Sequence, residues 1–181
     1  MDFYRNIDKL CEGYGPGIAP LVGIQYSVIE DLDIEPVDID FFKHHARIDF
    51  NVDDKLITFY IRAARQALEE WAQLSFGRKR IRLMALNLPH NYRLMYGPVD
   101  EVEDAEHFGD ILTRGGKVDV TFTTKEGTTD NVKAAIARYA AGLYAVRENI
   151  LTDSKGNPVN GENIMDEAKK MLQPIRNITL L

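Results

Sequence analysis

The stretch from Pro36 to Leu83, PVDIDFFKHHARIDFNVDDKLITFYIRAARQALEEWAQLSFGRKRIRL, constrains the chain most: it reads in order as a short helix, a capped turn, a long helix and a basic strand. Asp38 precedes the short helix, in which Asp40 to His45 puts Phe41, Phe42 and His45 near one side. A boundary follows at Asp49-Phe50-Asn51. Asn51 is suited to accept a hydrogen bond from the first free backbone amides of the next helix, and Asp53 and Asp54 favour its positive end. From there to about Ser75, Leu56, Tyr60, Ala63, Ala64, Ala67, Trp71 and Leu74 recur at steps of three and four as one apolar stripe. Arg62, Arg65, Gln66, Glu69 and Glu70 take the other side. A helix of about 23 residues spans roughly 34 Å at the α-helical rise, long enough to be a structural spine. Gly77 ends it, and Arg78 to Leu86 alternates as a strand, with Ile81, Leu83 and Ala85 facing one way and Arg80, Arg82 and Met84 the other.

The flanking sequence is read around this spine. Residues 1–22 form an arm or loop, because Gly13-Tyr14-Gly15-Pro16-Gly17 cannot continue a helix. Ile24 to Ile29 is a short β-branched strand ended by Glu30-Asp31-Leu32-Asp33. Tyr92 to Tyr96 is a second short strand closed by a kink at Gly97-Pro98-Val99. Asp100 to Asp110 is acidic and aperiodic, Gly115-Gly116 is a turn, and Val118 to Thr124 alternates again. Thr129 or Asp130 caps a helix whose Val132, Ala135, Ile136, Tyr139, Leu143 and Val146 form a second stripe. Its small residues, Ala134, Ala137, Ala140, Ala141 and Gly142, let a neighbour approach closely. Asn160 opens a last helix through Ile164, Ala168, Met171 and Leu172, Pro174 stops it, and Ile175 to Leu181 is an apolar tail.

These elements predict an α+β fold, predominantly α: a helical bundle on a long central helix, with a small antiparallel sheet or hairpin and extended N- and C-terminal arms. The expected organisation is one domain over 1–181, with an arm and short strand at 1–30, a core at 36–149 that carries an inserted β/loop region at 97–128, and a helix and tail at 150–181. At 181 residues, 45% hydrophobic and 28% charged, the chain can bury one core. The formal net charge of −6 argues against a surface built to grip a phosphate backbone over a wide area. The single cysteine, Cys11, makes no internal disulfide. The N-terminal residues lack the basic start and apolar run of a signal peptide, and no segment approaches the length of a membrane span.

The chemical inventory is poor. His44 and His45 point to different sides of a helix, so this pair cannot readily chelate one metal. No HExxH, paired-cysteine or GxSxG pattern is present. Asp53 and Asp54 are explained by the helix dipole, and the acidic run from Asp100 to Glu106 lacks the glycine and terminal glutamate of a calcium loop. No catalytic, cofactor-binding or metal-ligating residues are assigned. Arg78-Lys79-Arg80-Ile81-Arg82 is the one dense basic cluster. It either touches phosphate, as in a small nucleic-acid-binding module, or pairs with acidic residues of a neighbouring subunit.

The order of these parts resembles the head–tail connector (adaptor) proteins of tailed bacteriophages. The similarity rests on Glu35-Pro36-Val37, on Phe42 to Arg47-Ile48-Asp49, on the doublet Asp53-Asp54, on Ile61 to Ala67 with Ala63-Ala64-Arg65, and on Lys79 to Leu83. Tyr92-Arg93-Leu94 through Gly97-Pro98-Val99 with Val102 is similar to the family's strand ending in a proline-valine step. Val132 to Asn149, with Ala140-Ala141-Gly142-Leu143-Tyr144 and Arg147-Glu148-Asn149, is similar to its closing helix. Residues 1–30, 100–128 and 150–181 lie outside the pattern. The resemblance implies a structural, non-enzymatic virion protein: a ring subunit, dodecameric like the portal, in the neck between capsid and tail. It would be assembled in the host cytoplasm. Its implied partners are the portal, a tail-side neck or stopper protein, and genomic DNA passing through the lumen without sequence-specific binding; none is a membrane. A closed ring needs two different complementary faces. The mixed-charge side of the 53–75 helix and the small-residue face of the 132–148 helix are the candidates, with Arg62, Arg65, Glu69, Arg78, Arg80, Arg82 and Arg138 as interface residues. The tail residues Ile175, Ile178, Leu180 and Leu181 are candidates for portal docking. Glu101, Glu103, His107 and Arg114 are candidates for the tail-side contact.

Overall fold

The structure is a computed structural model that describes residues 23–146 and 161–176. The chain divides into two compact units. Of the described residues, the first takes 23–31, Lys79–Leu94 and Val99–Thr124; the second takes Leu32–Arg78, Met95–Pro98, 125–146 and 161–176. The element content is the expected mixed α+β.

The first unit is β. Strands β1 (Gln25–Glu30), β2 (Arg80–Leu88), β4 (Val99–Val102) and β7 (Gly116–Thr124) form an antiparallel sheet in the order β1-β2-β7-β4. The register aligns Ile81 with Phe122, Leu83 with Val120 and Ala85 with Val118. These six side chains are buried, and the alternation read from β2 and β7 is therefore the real division between faces. Tyr26 meets Phe122 edge to face with ring centroids 6.4 Å apart. A second, three-stranded sheet runs β3 (Tyr92–Arg93), β6 (Ile111–Leu112), β5 (His107–Phe108). Two expectations change here. The strand expected over 92–96 stops at Arg93, and Tyr96 adopts a positive φ of 64° that cannot continue a ladder. The stretch 100–110, expected to be aperiodic, contributes β4 and the β5 arm of a hairpin. At Gly115 the backbone passes so close to β2 that an added Cβ would sit 2.9 Å from the Leu88 carbonyl oxygen.

The second unit is α. Helix α1 (Ile39–Ala46) starts at Asp38, whose carboxylate accepts from the Phe41 amide at 2.7 Å as an N-cap. Helix α2 (Asp54–Ala72) is the long spine; α3 (Asp130–Val146), α4 (Gly161–Leu172) and a 3-10 turn, Gln173–Ile175, follow. The Thr129 hydroxyl accepts from the Val132 amide at 3.4 Å at the start of α3. Asn51 does not cap α2 as expected: its side chain accepts from Lys43 Nζ at 2.7 Å, and Asp53 takes the cap position without a side-chain bond.

The core of this unit joins Phe42 of α1, Ile57, Ile61, Ala64, Leu68 and Ala72 of α2, Val132, Ala135, Ile136, Ala137 and Ala140 of α3, and Ala168 and Leu172 of α4. The α2 face that packs is thus rotated by about one residue from the expected stripe. Leu56 points outward, Tyr60 and Trp71 are half-buried, and the core row includes Arg65 and Glu69. The small-residue face of α3 also has a different use from the one expected. An added Cβ on Gly142 would lie 2.1 Å from Cγ2 of Ile164, so this face receives α4 of the same chain.

Candidate functional site

The basic strand is matched by acids of its own unit. Lys79 is buried and its Nζ lies 3.1 Å from Asp31 Oδ1. Arg80 donates from Nη2 to Glu103 at 2.7 Å and from Nη1 to Glu30 at 3.4 Å. The bond to Glu103 is the main reason its pKa is raised further. Arg82 makes a two-pronged contact with Asp119 at 2.8 and 2.7 Å, which holds that carboxyl below its ordinary range. The register puts Asp119 opposite Met84, so Arg82 reaches it on the diagonal of the same sheet face. Arg78, in the other unit, is exposed and without an ion-pair partner among the described residues.

The polar residues expected on the outer side of α2 separate into two kinds. Arg62 is exposed, with Nε 3.4 Å from Glu35. Arg65 and Glu69 are corrections to the proposed interface, because their side chains are 0% and 3% accessible and cannot meet a neighbouring subunit. Arg65 donates to Glu69 at 2.7 Å and to Glu35 at 2.7 and 3.1 Å. Glu69 also accepts from the Phe76 amide at 2.8 Å, so its carboxylate closes the chain just beyond the end of α2. Neither ion would be stable in this core without such partners.

The remaining candidates are dispersed. Arg138 is exposed and pairs with Glu167 of α4. Glu101 and Arg114 are exposed, Glu103 is held by Arg80, and His107 Nδ1 is 2.9 Å from the Gly109 carbonyl oxygen. Ile175 is exposed, while Ile178, Leu180 and Leu181 lie outside the described residues. Arg176 stacks on Trp71, its guanidinium carbon 4.5 Å from the ring centroid, and donates to the Trp71 carbonyl at 3.2 Å.

Sequence reasoning missed a set of outward apolar side chains. Val52 and Phe59 are 90% and 62% exposed, and Leu56 stands between them. Leu56, Phe59 and Ala63 recur at steps of three and four, the spacing of one helical stripe, and Val52 lies in the turn just before α2. The expected core stripe takes in Leu56 and Ala63 and leaves Val52 and Phe59 unassigned. The same unit holds a groove of about 600 Å³ lined by Leu32, Ile34, Glu35, Pro36, Phe76 and Glu126, among others. Ile34 there is 83% exposed. In the other unit, Phe108 projects from the β5–β6 hairpin at 82% exposure.

Among the described residues, no three His, Cys, Asp or Glu side chains gather where they could hold a metal ion, and no helix is long and apolar enough to cross a membrane. Residues 36–176 match the model of the phage gp6-like head–tail connector proteins, and the chain belongs to that family. The family is that of the connectors between phage head and tail.

Solved structures share the fold. A chain from the virion of a native gene transfer agent particle aligns with a TM-score of 0.67 at 15% identity, over 86% of this chain and 97% of that one. A chain from the neck of an empty gene transfer agent particle, computed with C6 symmetry, gives 0.58 at 16% identity over 87% and 97%. One from the neck of the native particle, computed with C12 symmetry, gives 0.55 at 15% identity over 86% and 97%. Comparison with the curated proteins finds no match.

Proposed function

We propose that the chain is the subunit of a dodecameric ring beneath the portal vertex, joining the DNA-filled capsid to the tail and letting the genome pass through its lumen. The observation that carries this reading is the family match over 36–176. The C12 symmetry of a neck whose subunit shares the fold supports the ring and its size. A lumen that DNA must slide through is served by a protein that avoids many phosphate contacts, since each one releases counterions and holds the duplex. The net charge of −6 and the internal pairing of Lys79, Arg80 and Arg82 both fit that requirement.

In this reading the apolar tail from Ile175, with Ile178, Leu180 and Leu181, docks on the portal. Glu101, Glu103, His107 and Arg114, with Phe108 added from the structure, meet the tail-side neck protein. The ring is assembled in the host cytoplasm and stays in the neck of the finished particle. The alternative, a nucleic-acid-binding module on 78–82, is disfavoured because only Arg78 of the cluster's cations lacks an acidic partner among the described residues.

The test is to mix the purified chain with portal-containing, tail-less heads, then co-sediment and image them by negative stain. A ring added at the portal vertex is the expected result. A chain that stays off the heads and shifts a DNA band at low salt would replace this reading with the nucleic-acid one.

A further inference from the structure

Helix α2 carries apolar residues on two sides. Ile57, Ile61, Ala64, Leu68 and Ala72 fill the core of its own unit, while Leu56 and Phe59, with Val52 in the turn just before the helix, face outward. A phenylalanine alone brings about 150–250 Å² to a contact. The stripe therefore reaches the few hundred Å² at which an exposed apolar patch marks an interaction site. A stable interface needs roughly 800 Å² from each partner, so the stripe would be the centre of a contact and not its whole extent.

We infer that the occupant is a second copy of this chain, and that in the ring Val52, Leu56 and Phe59 of one copy seat in the groove of the next, against Leu32, Ile34 and Pro36. The inference rests on the ring reading given above. Its first support is that one unit of one chain holds both halves: an outward apolar patch at the start of α2, and an open groove of about 600 Å³ of mixed lining, with the exposed Ile34 at its wall beside Leu32 and Pro36. Two different, complementary faces on the same chain are what a head-to-tail contact requires, and repetition of that contact closes a ring.

The second support is charge. Lys55 adjoins Leu56 and Phe59 on α2 and is exposed with no ion-pair partner among the described residues. Glu126 lines the groove, exposed and equally without a partner. Seating the stripe brings this cation to this anion. Of the groove's other charges, Glu35 is already held by Arg65, and Lys133 is half-buried.

The experiment uses the full chain at about millimolar concentration. In a Cys11→Ser background, Lys55→Cys combined with Glu126→Cys is expected to oxidise into a ladder of multimers. Each single-cysteine variant stops at a dimer, because head-to-tail linkage needs both positions. In a second measurement, Lys55→Glu or Glu126→Lys alone weakens self-association about tenfold by sedimentation, and the two together restore most of it. Phe59→Ser abolishes it while the far-UV spectrum and melting temperature hold.

If the unaltered chain forms rings that Phe59→Ser leaves intact, and the double-cysteine variant gives no ladder, this contact is wrong and the ring reading stands. If the unaltered chain forms no ring at that concentration or on portal-bearing heads, the ring reading fails and the contact falls with it.

Discussion

Arg65 and Glu69 sit one helical turn apart on α2, bonded at 2.7 Å, and neither side chain reaches solvent. A pair this deep is maintained by its other partners: Glu35 takes the remaining face of the guanidinium, and the Phe76 amide takes the second oxygen of Glu69. Removing Arg65 would leave two carboxylates facing each other with Glu69 still buried. Arg65→Met is expected to lower unfolding stability by about 3–5 kcal/mol, the cost of breaking a buried pair by taking one partner. Urea denaturation measures it, and a loss under 1 kcal/mol would show the network to be dispensable.

Gly142 makes the opposite kind of demand, for absence of a side chain. An alanine there gains helix propensity but drives its Cβ into Ile164. Gly142→Leu is expected to be destabilising by about 1–3 kcal/mol through overpacking. Adding Ile164→Ala should recover part of the loss, and thermal melts of the two single variants and the double variant would display that coupling.

Asp119 supplies a pH dependence with a definite sign. Its carboxyl is held below the ordinary value of 3.8 by the hydrogen bonds from Arg82. The folded value is lower than the unfolded one, so the contribution is complete above the ordinary carboxylate range. It is lost as pH falls through the lowered folded value. The melting-temperature difference between the unaltered chain and Asp119→Asn should therefore be present at neutral pH, small because the pair is exposed, and should vanish on acidification below about 4. A difference that grows as pH falls would contradict the assignment.

The paired state of the basic strand predicts weak, non-specific behaviour toward DNA. Arg80→Ala and Arg82→Ala are expected to leave any low-salt band shift unchanged, since both cations are already engaged by Glu103 and Asp119. A tenfold weakening in either variant, with a shallower salt slope, would favour the nucleic-acid module.

Much of the fold was legible because its periodicities are local. The alternation of Ile81, Leu83 and Ala85 against Arg80 and Arg82, and the Asp38 cap, needed only spacing and side-chain chemistry. The phase of α2 was not legible, and Arg65 and Glu69 explain why: two charges in the core row made Ile57, Ile61 and Leu68 look like the wrong face. The stripe that then remains runs through Leu56, Tyr60 and Trp71, and it leaves Phe59 unassigned. Strand β4 escaped because the register shifts between Val99 and Glu101, leaving Asp100 and Glu101 both exposed where alternation would bury one. The partners of Arg80 and Arg82 are set by cross-strand register, a long-range property that spacing along one strand does not carry.

The order in which the two units draw on the chain has a consequence for how the protein comes off the ribosome. Strand β1 is made early, yet β2, its one sheet neighbour among the described residues, lies some fifty residues later, and β2 must wait in turn for β7. The spine helix α2 is synthesised between them and can form from local contacts alone, while its packing partners on α3 come after the last strand. The β unit is complete only when β7 has been made, and the α unit only after the helices that follow it. Both must then close loops of high sequence separation, the topology that slows folding most. For a part needed in many identical copies, the risk lies in that interval, when β1 is an unpaired edge and the two apolar sides of α2 are both uncovered.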